Sequence, residues 1–350
     1  MRRAPLFSKS FDQGERTRAE LLVETVKRNE DNPRLIFSAE GMTQLRESIR
    51  NDGILVPLTV YRHGNEYIII DGERRYRAAK DLGLLTIPCY VLPPPRDKME
   101  YLLHMFRIHN VKEDWKLFPT AKKLEELIKS LKKQDPSRKT TNKALKAYTS
   151  MKISRIAQCR TLLTLPEKFQ DQLFAEQKLE EKQDAIPSKW ALTEDFFLEL
   201  LGPIKALETD KRLKPLSDEI FAKHSKVEII EKLVTKYKAD HIPNITDFRL
   251  LTRIIKTSAL STNQRAKIVK EILTDKEYEI TYAYDIYARA FYEVDSLERQ
   301  CTGLTQALKT LRIEKVAEER RHKLLEKLEQ LQSILAKRSH RLNSILSNSK

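Results

Sequence analysis

The feature that most constrains the fold is the run from Ile68 to Gly83, IIIDGERRYRAAKDLG. Strand-forming residues lead into an Asp71-Gly72 turn, and a helix-forming segment follows at once. Unpaired backbone N–H groups point outward at a helix start, and the helix dipole favours negative charge there. A strand, a glycine turn and a helix N-terminus therefore predict an anion-binding site.

Basic side chains crowd the start of this predicted helix. A helix start ordinarily favours acidic residues, so arginines there need another explanation. Guanidinium groups fork onto phosphate oxygens, which favours a phosphate chain as the ligand. The alternative for Arg77 is an ion pair with Glu73, one turn earlier on the same helix. The predicted phosphate-binding residues are Gly72, Glu73, Arg74, Arg75 and Arg77.

The segment DGERRYRAA resembles the central box of the ParB/sulfiredoxin-like domain, which is found in plasmid and chromosome partition proteins. Other boxes of that domain have counterparts in the same order, from about Asp31 to Pro119. These counterparts are NPRLIF with LRESIRNDGILVPLTV, then IPCYVL, then HNVKEDW. The resemblance implies an α+β nucleotide-binding domain over residues 31–97, with a small mixed sheet and flanking helices.

The resemblance also implies a ligand. Partition proteins of this family bind CTP, hydrolyse it slowly, and close as dimers into a clamp that slides on DNA. By this resemblance, Gly53 in the first box lies near the base and sugar. Asn110 in the last box matches one residue of a Glu-Asn pair that holds Mg²⁺, while His109 replaces the glutamate. Histidine is a poor Mg²⁺ ligand, so packing or a base contact is the preferred interpretation of His109.

The charge balance points to a polyanion. The chain has 65 Lys and Arg residues against 50 Asp and Glu, a formal net charge of +15, which favours nucleic acid over membrane as the partner. No apolar run approaches the length of a membrane span. Three widely separated cysteines, Cys89, Cys159 and Cys301, suit a reducing cytosol and predict neither a disulfide framework nor a zinc site.

A second pattern, Thr140–Leu163, resembles the helix-turn-helix of partition proteins, with Ser150 where the turn usually has glycine. Between Lys129 and Arg160, ten Lys and Arg residues stand against one acidic residue. A basic zone over a helix-turn-helix pattern predicts a DNA-binding face. Groove contacts are predicted for Arg155, Gln158 and Arg160. Phosphate contacts are predicted for Arg138, Lys139, Lys143 and Lys152.

The rest of the chain is predicted to be mainly helical. Residues 1–30 are interpreted as a leader segment with helical character over residues 14–28. Residues 98–175 are predicted to form a helical domain containing the helix-turn-helix, and residues 176–292 a helical region of unknown role. From residue 293, apolar residues recur at spacings of three and four, which predicts a coiled coil over residues 293–350. Its partner is either a second copy of the chain, which is the favoured interpretation, or the chain's own helices folded back as a hairpin.

The resemblance implies a ParB-like, CTP-gated clamp on double-stranded DNA, acting in the cytoplasm on a nucleoid or plasmid, with a partition-type ATPase as a further partner. One alternative is a DNA-binding adaptor or transcription regulator that keeps the fold without nucleotide turnover. A second is a nucleotide-dependent small-molecule kinase or a nuclease of the same superfamily. A sulfiredoxin activity is set aside, because Glu73 and Arg74 occupy the turn where that enzyme places its cysteine.

Overall fold

The computed structural model describes residues 16–29, 39–109, 115–182, 189–312 and 316–348. The chain divides into two compact units, Met1–Tyr284 and Asp285–Lys350. Within the described ranges, every helix is too short or too polar to cross a lipid bilayer.

The first unit opens with a five-stranded mixed sheet in the order β1-β5-β3-β4-β2. The strands are β1 (Thr17–Leu22), β2 (Val26–Lys27), β3 (Leu58–His63), β4 (Glu66–Asp71) and β5 (Thr86–Leu92). The β1–β5 and β3–β4 pairs are antiparallel, whereas β3–β5 and β2–β4 are parallel. The predicted small mixed sheet is therefore confirmed.

A hairpin joins β3 to β4, as the His63-Gly64-Asn65 turn predicts, and Gly64 adopts φ 61°. Alternate residues of β3 enter the core: Leu58 and Val60 are fully buried, and Ile69 of β4 is 1% exposed. This alternation is the period-2 pattern of a strand with one face on the core. The second strand of this hairpin, β4, ends at the Asp71-Gly72 turn, and the basic helix begins directly after it.

The helix predicted over residues 14–28 is wrong. The structure has β1 there, then a 3₁₀ turn at Val23–Thr25, then β2. Strand β1 pairs along its whole length with β5, and the side chain of Val26 is fully buried in the sheet core. Pairing with a distant strand overrides local helix propensity, so the end of the leader segment belongs to the sheet.

Three helices complete the N-terminal region: α1 (Ala39–Asp52), α2 (Glu73–Asp81) and α3 (Lys98–His109). Met42 and Ile49 of α1 pack against Ala78 of α2. Small residues at the contact let the two helices approach closely. This packing places the first turn of α2 beside the first turn of α1.

The remainder of the first unit is helical, as predicted. Its helices are α4 (Leu117–Gln134), α5 (Asn142–Thr149), α6 (Ile153–Leu162), α7 (Glu167–Lys182), α8 (Glu194–Thr209), α9 (Lys214–Phe221), α10 (Lys226–Lys238), α11 (Asp247–Lys256), α12 (Thr262–Thr274) and the first part of α13 (Ile280–Tyr287). Phe196, Phe197 and Phe248 are fully buried, and the ring of Phe196 lies 5.1 Å from Phe197 and 5.7 Å from Phe248 between centroids. Such edge-to-face contacts anchor helical cores.

The second unit contains α14 (Arg289–Thr310) and α15 (Glu318–Asn348). The apolar residues that predict a coiled coil are largely exposed on these helices. They include Val294, Leu297, Leu304, Leu308, Leu331 and Leu335, at 37 to 58% exposure. Both helices are present where the pattern predicts them, and the coiled-coil pairing remains a prediction.

Candidate functional site

Gly72 forms the turn between β4 and α2. It adopts φ 106°, a left-handed conformation that glycine accepts without steric cost. A Cβ atom at this position would lie 2.7 Å from Cγ of Leu58 and 3.3 Å from the Arg75 guanidinium. No side chain caps the start of α2 at Gly72, so the turn presents a helix N-terminus suited to an anion.

Arg74 lies at the edge of this turn and reaches across to α1. Its Nη2 donates to the carbonyl oxygen of Gly41 at 2.7 Å. Its Nε is buried and has no hydrogen-bond partner among the described residues. A buried donor without an acceptor is costly, by about 1–3 kcal/mol or more for a charged group. The orphaned donor therefore fits a ligand with oxygen acceptors at this turn.

Glu73 is 5% exposed, and two arginines hold it. Its Oε1 accepts from Nε of Arg28 at 2.6 Å and from Nε of Arg77 at 3.0 Å, so the intrahelical ion pair of Arg77 is present. The second oxygen, Oε2, is buried without a hydrogen-bond partner among the described residues. Because two guanidinium cations surround one carboxylate anion, the net charge beside the turn is positive.

Sequence reasoning missed Arg28. It belongs to the segment interpreted as a leader, and it lies just beyond β2, which pairs in parallel with β4. That pairing carries Arg28 to the carboxyl end of β4, where the Gly72 turn begins. Its 61% exposed side chain leaves one face of the guanidinium open to solvent. No local pattern in the sequence indicates the pairing of β2 with β4 that positions Arg28.

Arg75 holds the loop before β3. Its Nη1 donates to the carbonyl oxygens of Val56 and Pro57, the latter at 2.7 Å. Its Nη2 donates to Oδ2 of Asp71 at 2.9 Å. These contacts fix the loop against the turn, so in this conformation Arg75 shapes the site through the backbone.

Two further ligand residues are predicted, Gly53 and Asn110. Gly53 ends α1 with φ 73°, and its N–H donates to the carbonyl oxygen of Ile49, which is the geometry of a helix C-cap. Asn110 lies outside the described residues. Within the described ranges, no three His, Cys, Asp or Glu side chains converge as a metal site.

Cys89, on β5, is fully buried in the sheet core. Burial raises the pKa of its thiol to about 12, with Glu20 adding to the rise and Arg75 opposing it. A thiol with such a pKa remains protonated at neutral pH, and the thiolate is the nucleophilic form. Cys89 is therefore a packing residue of the sheet, in agreement with the prediction that sets sulfiredoxin chemistry aside.

Helices α5 and α6 form the predicted helix-turn-helix. Thr141 caps α5, and its side chain accepts from the backbone of Ala144. Ser150 takes the turn with φ 62°, the left-handed conformation that glycine would supply. Met151 is 1% exposed and anchors the turn in the core. On α6, Ile156, Cys159 and Leu162 are fully buried, so one face of this helix packs inward and the opposite face is free.

The predicted DNA-contacting residues fall into two groups. Three arginines make contacts within the protein: Arg155 donates to the carbonyl oxygen of Trp115 at 2.5 Å, and Arg160 to that of Thr140 at 2.5 Å. Arg138 donates to Gln134 and lies 3.9 Å from Asp135. The remaining four are exposed: Lys139, Lys143, Lys152 and Gln158. Ser154, one turn before Gln158 on α6, is also exposed and carried no signal in the sequence.

Replacing Ser150 with glycine is expected to raise the free energy of unfolding by about 1 kcal/mol, because glycine removes the steric cost of the left-handed conformation. Thermal unfolding of the two proteins measures the difference. Ser154→Gly serves as the contrast, since glycine inside a helix lowers stability by about 0.5–1 kcal/mol. Equal shifts in the same direction would contradict the turn geometry.

Comparison with known proteins identifies the family of this chain. The ParB N-terminal domain model matches residues 8–110. Stage 0 sporulation protein J of Bacillus subtilis is 31% identical over 225 residues, which cover 64% of this chain and 70% of that protein. The chain belongs to the ParB family.

Other ParB proteins match over shorter spans. The probable chromosome-partitioning protein ParB of Helicobacter pylori is 30% identical over 176 residues, 49% of this chain and 58% of that protein. The C-terminally truncated chromosome-partitioning protein ParB from Caulobacter crescentus, in a crystal structure complexed with CTP-gamma-S, is 28% identical in sequence to this chain. The match covers 46% of this chain and 86% of the Caulobacter chain, with a TM-score of 0.26. The ParB N-terminal domain match contains Gly53, the Gly72 turn and Asn110.

Proposed function

We propose that this ParB-family protein binds CTP at the Gly72 turn, and that the nucleotide favours a closed dimer on double-stranded DNA. The observation that carries the proposal is the start of α2. There Gly72 leaves no room for a side chain, while the adjacent Nε of Arg74 is buried and has no acceptor in the part of the chain that the structure describes. A phosphate chain supplies acceptors for that donor and for the first N–H groups of α2.

Each residue of the turn has a separate role in this proposal. Arg74 binds phosphate oxygens with its guanidinium, while Arg75 keeps the loop before β3 in place through Val56 and Pro57. Arg28 and Arg77 hold Glu73 and supply positive charge around the phosphates. Asn110 is the residue that matches the family's metal-binding pair, and a bound Mg²⁺ would neutralise part of the phosphate charge.

The DNA-binding part of the proposal rests on the free face of α6. Lys139, Lys143 and Lys152 are exposed and suit phosphate oxygens. Gln158 is exposed on α6, and its amide suits a base edge in the major groove. Arg155 and Arg160 join α6 to neighbouring backbone segments, so their first role is to position this helix.

The variant Lys143→Ala with Gln158→Ala is expected to weaken DNA binding by roughly 10- to 100-fold, because one phosphate contact and one base contact are lost. The slope of log affinity against log salt concentration should fall in magnitude by about 1. Fluorescence anisotropy with duplex DNA containing the protein's selected sequence measures both quantities.

The matched control is Gln44→Ala with Lys238→Ala, which removes the same two side-chain types from exposed positions outside α5 and α6. It should bind DNA within about twofold of the unaltered protein, since it changes net charge equally and leaves the helix-turn-helix intact. If both double variants bind alike, α6 is not the helix that contacts DNA.

The proposed dimer uses the second unit. Exposed apolar residues recur along α14 at spacings of three and four, and Cys301 lies on the same line between Leu297 and Leu304. Exposed residues at this spacing fit the a and d positions of a coiled coil with a second copy. CTP then acts by its extra affinity for the closed form, which shifts the equilibrium between open and closed dimers.

A second candidate is a DNA-binding adaptor that keeps the ParB fold without nucleotide turnover. The observation in its favour is His109, which stands where the family's metal-binding pair has glutamate. Hydrolysis requires the metal to be held beside the phosphates, and histidine serves Mg²⁺ poorly. The two candidates differ in nucleotide binding, which calorimetry measures directly.

A further inference from the structure

A basic pocket of about 220 Å³ lies between the end of α9 and one face of α12. Its polar lining residues are Glu219, Lys223, His224, Asn263, Lys267 and Lys270. Lys267 and Lys270 form no ion pair with any residue that the structure describes, and both are exposed. A concave site with uncompensated lysines concentrates positive potential, which attracts anions.

His224 adds a hydrogen-bond donor to the pocket. The ammonium of Lys232 lies 3.3 Å from its Nδ1, and an ammonium can only donate. Nδ1 therefore accepts, and the ring hydrogen is on Nε2. Burial lowers the pKa of His224, and the charges of Lys232, Lys223 and Lys270 lower it further, while Glu228 opposes the shift. The ring is thus neutral at pH 7 and offers one N–H.

Acidic side chains near the pocket have other partners. Glu228 belongs to a capping box with Ser225 at the start of α10, where each residue bonds to the other's backbone N–H. Glu219 lies 3.8 Å from Lys223, a contact that compensates one lysine. Lys267 and Lys270 have no ion-pair partner among the residues that the structure describes, so the pocket presents two uncompensated cations and a neutral donor.

Side-chain contacts connect this pocket to the predicted recognition helix. Lys205 of α8 donates to Thr161, on the last turn of α6, at 3.2 Å. Glu208, three residues further along α8, forms an ion pair at 2.9 Å with Lys226, the first residue of α10. Lys226 lies two positions after His224 in the sequence. Three residues of helix rise by about 4.5 Å, so α8 joins the last turn of α6 to the segment that carries His224 through two neighbouring side-chain contacts.

The charge of the pocket suits the backbone of DNA. Phosphates follow both edges of the major groove on both strands. A duplex with α6 in its groove continues beyond the segment that α6 contacts and carries further phosphates there. We propose that the basic pocket binds a phosphate group of the DNA backbone outside the segment that α6 contacts. This inference rests on the proposed DNA-binding function and extends its contact surface.

The test compares two double variants of the full chain with the unaltered protein. Lys267→Ala with Lys270→Ala removes the pocket's two unpaired lysines. Lys238→Ala with Lys276→Ala removes the same charge from two exposed positions, one at the end of α10 and one just after α12. Thermal unfolding confirms that both variants are folded, and anisotropy with duplex DNA is recorded over a range of salt concentrations. Inorganic phosphate and CTP are titrated separately into the unaltered protein and the pocket variant.

The pocket variant should bind duplex DNA about tenfold more weakly at moderate salt, and the salt slope should fall in magnitude by about 1–2, since each lost phosphate contact contributes about 0.9. The control should differ by less than twofold. Equal DNA binding by the two variants would overturn the proposal. The proposal would also be overturned if the pocket bound phosphate or CTP while the pocket substitutions left DNA binding unchanged. If the unaltered protein binds no DNA, the proposed function itself fails.

Discussion

Arg74→Ala is expected to weaken CTP binding by roughly 10- to 100-fold while the protein stays folded. The guanidinium of Arg74 donates to the carbonyl oxygen of Gly41, and its buried Nε finds no acceptor within the described ranges. A hydrogen bond to a charged phosphate oxygen contributes about 1.5–3 kcal/mol. Loss of the Gly41 contact lowers stability by only about 1 kcal/mol. Isothermal calorimetry with CTP measures the affinity, and thermal unfolding measures the fold.

Lys80→Ala is the matched control for this variant. Lys80 is an exposed cation in the last turn of the same helix, far from the Gly72 turn. Its removal changes the net charge by the same amount as the Arg74 change, and CTP affinity should stay within about twofold. Equal losses in both variants would indicate a general charge effect, and unchanged affinity in Arg74→Ala would move the nucleotide site away from this turn.

Gly72→Ala should lower the free energy of unfolding by about 2–5 kcal/mol and abolish nucleotide binding. Two costs add: a left-handed backbone costs an alanine about 1–2 kcal/mol, and overpacking costs a further 1–3 kcal/mol. The second cost arises because the new Cβ would lie 2.7 Å from Cγ of Leu58, a fully buried core residue. Chemical denaturation monitored by circular dichroism measures the stability change.

The variant Gly64→Ala separates the cost of the left-handed backbone from the cost of overpacking. Gly64 adopts φ 61°, but a Cβ atom there meets nothing within 4 Å. Its replacement should therefore lower the free energy of unfolding by only about 1 kcal/mol and leave CTP binding unchanged. If the two glycine variants lose the same stability, the contact with Leu58 does not restrict the turn.

The sequence predicts the parts of the site that are local. The Gly72 turn, the Glu73–Arg77 ion pair and the β3–β4 hairpin each involve neighbours in the chain, so residue type and spacing are sufficient to predict them. The role of Arg28 was not predictable in this way. It depends on β2 pairing with β4, some 40 residues away, and such pairing leaves no local periodicity in a two-residue strand.

The helix-turn-helix shows the same limit. Its two helices and the left-handed Ser150 follow from the local pattern. The contacts of Arg155 and Arg160 do not, because their acceptors are backbone carbonyls 40 and 20 residues away. A basic residue in a predicted DNA-binding helix looks the same in sequence whether it faces a groove or a carbonyl oxygen. Packing decides between these roles, and packing is a property of the folded chain.

We expect the Gly72 turn to select CTP among the nucleotides. The most direct test is calorimetric titration of the full chain with CTP, ATP, GTP and UTP, each with Mg²⁺ and with EDTA. We predict binding of CTP in preference to the other three, with a stoichiometry of one per chain. Absence of binding by any nucleotide, with and without duplex DNA, would contradict the account and favour a ParB-fold DNA adaptor.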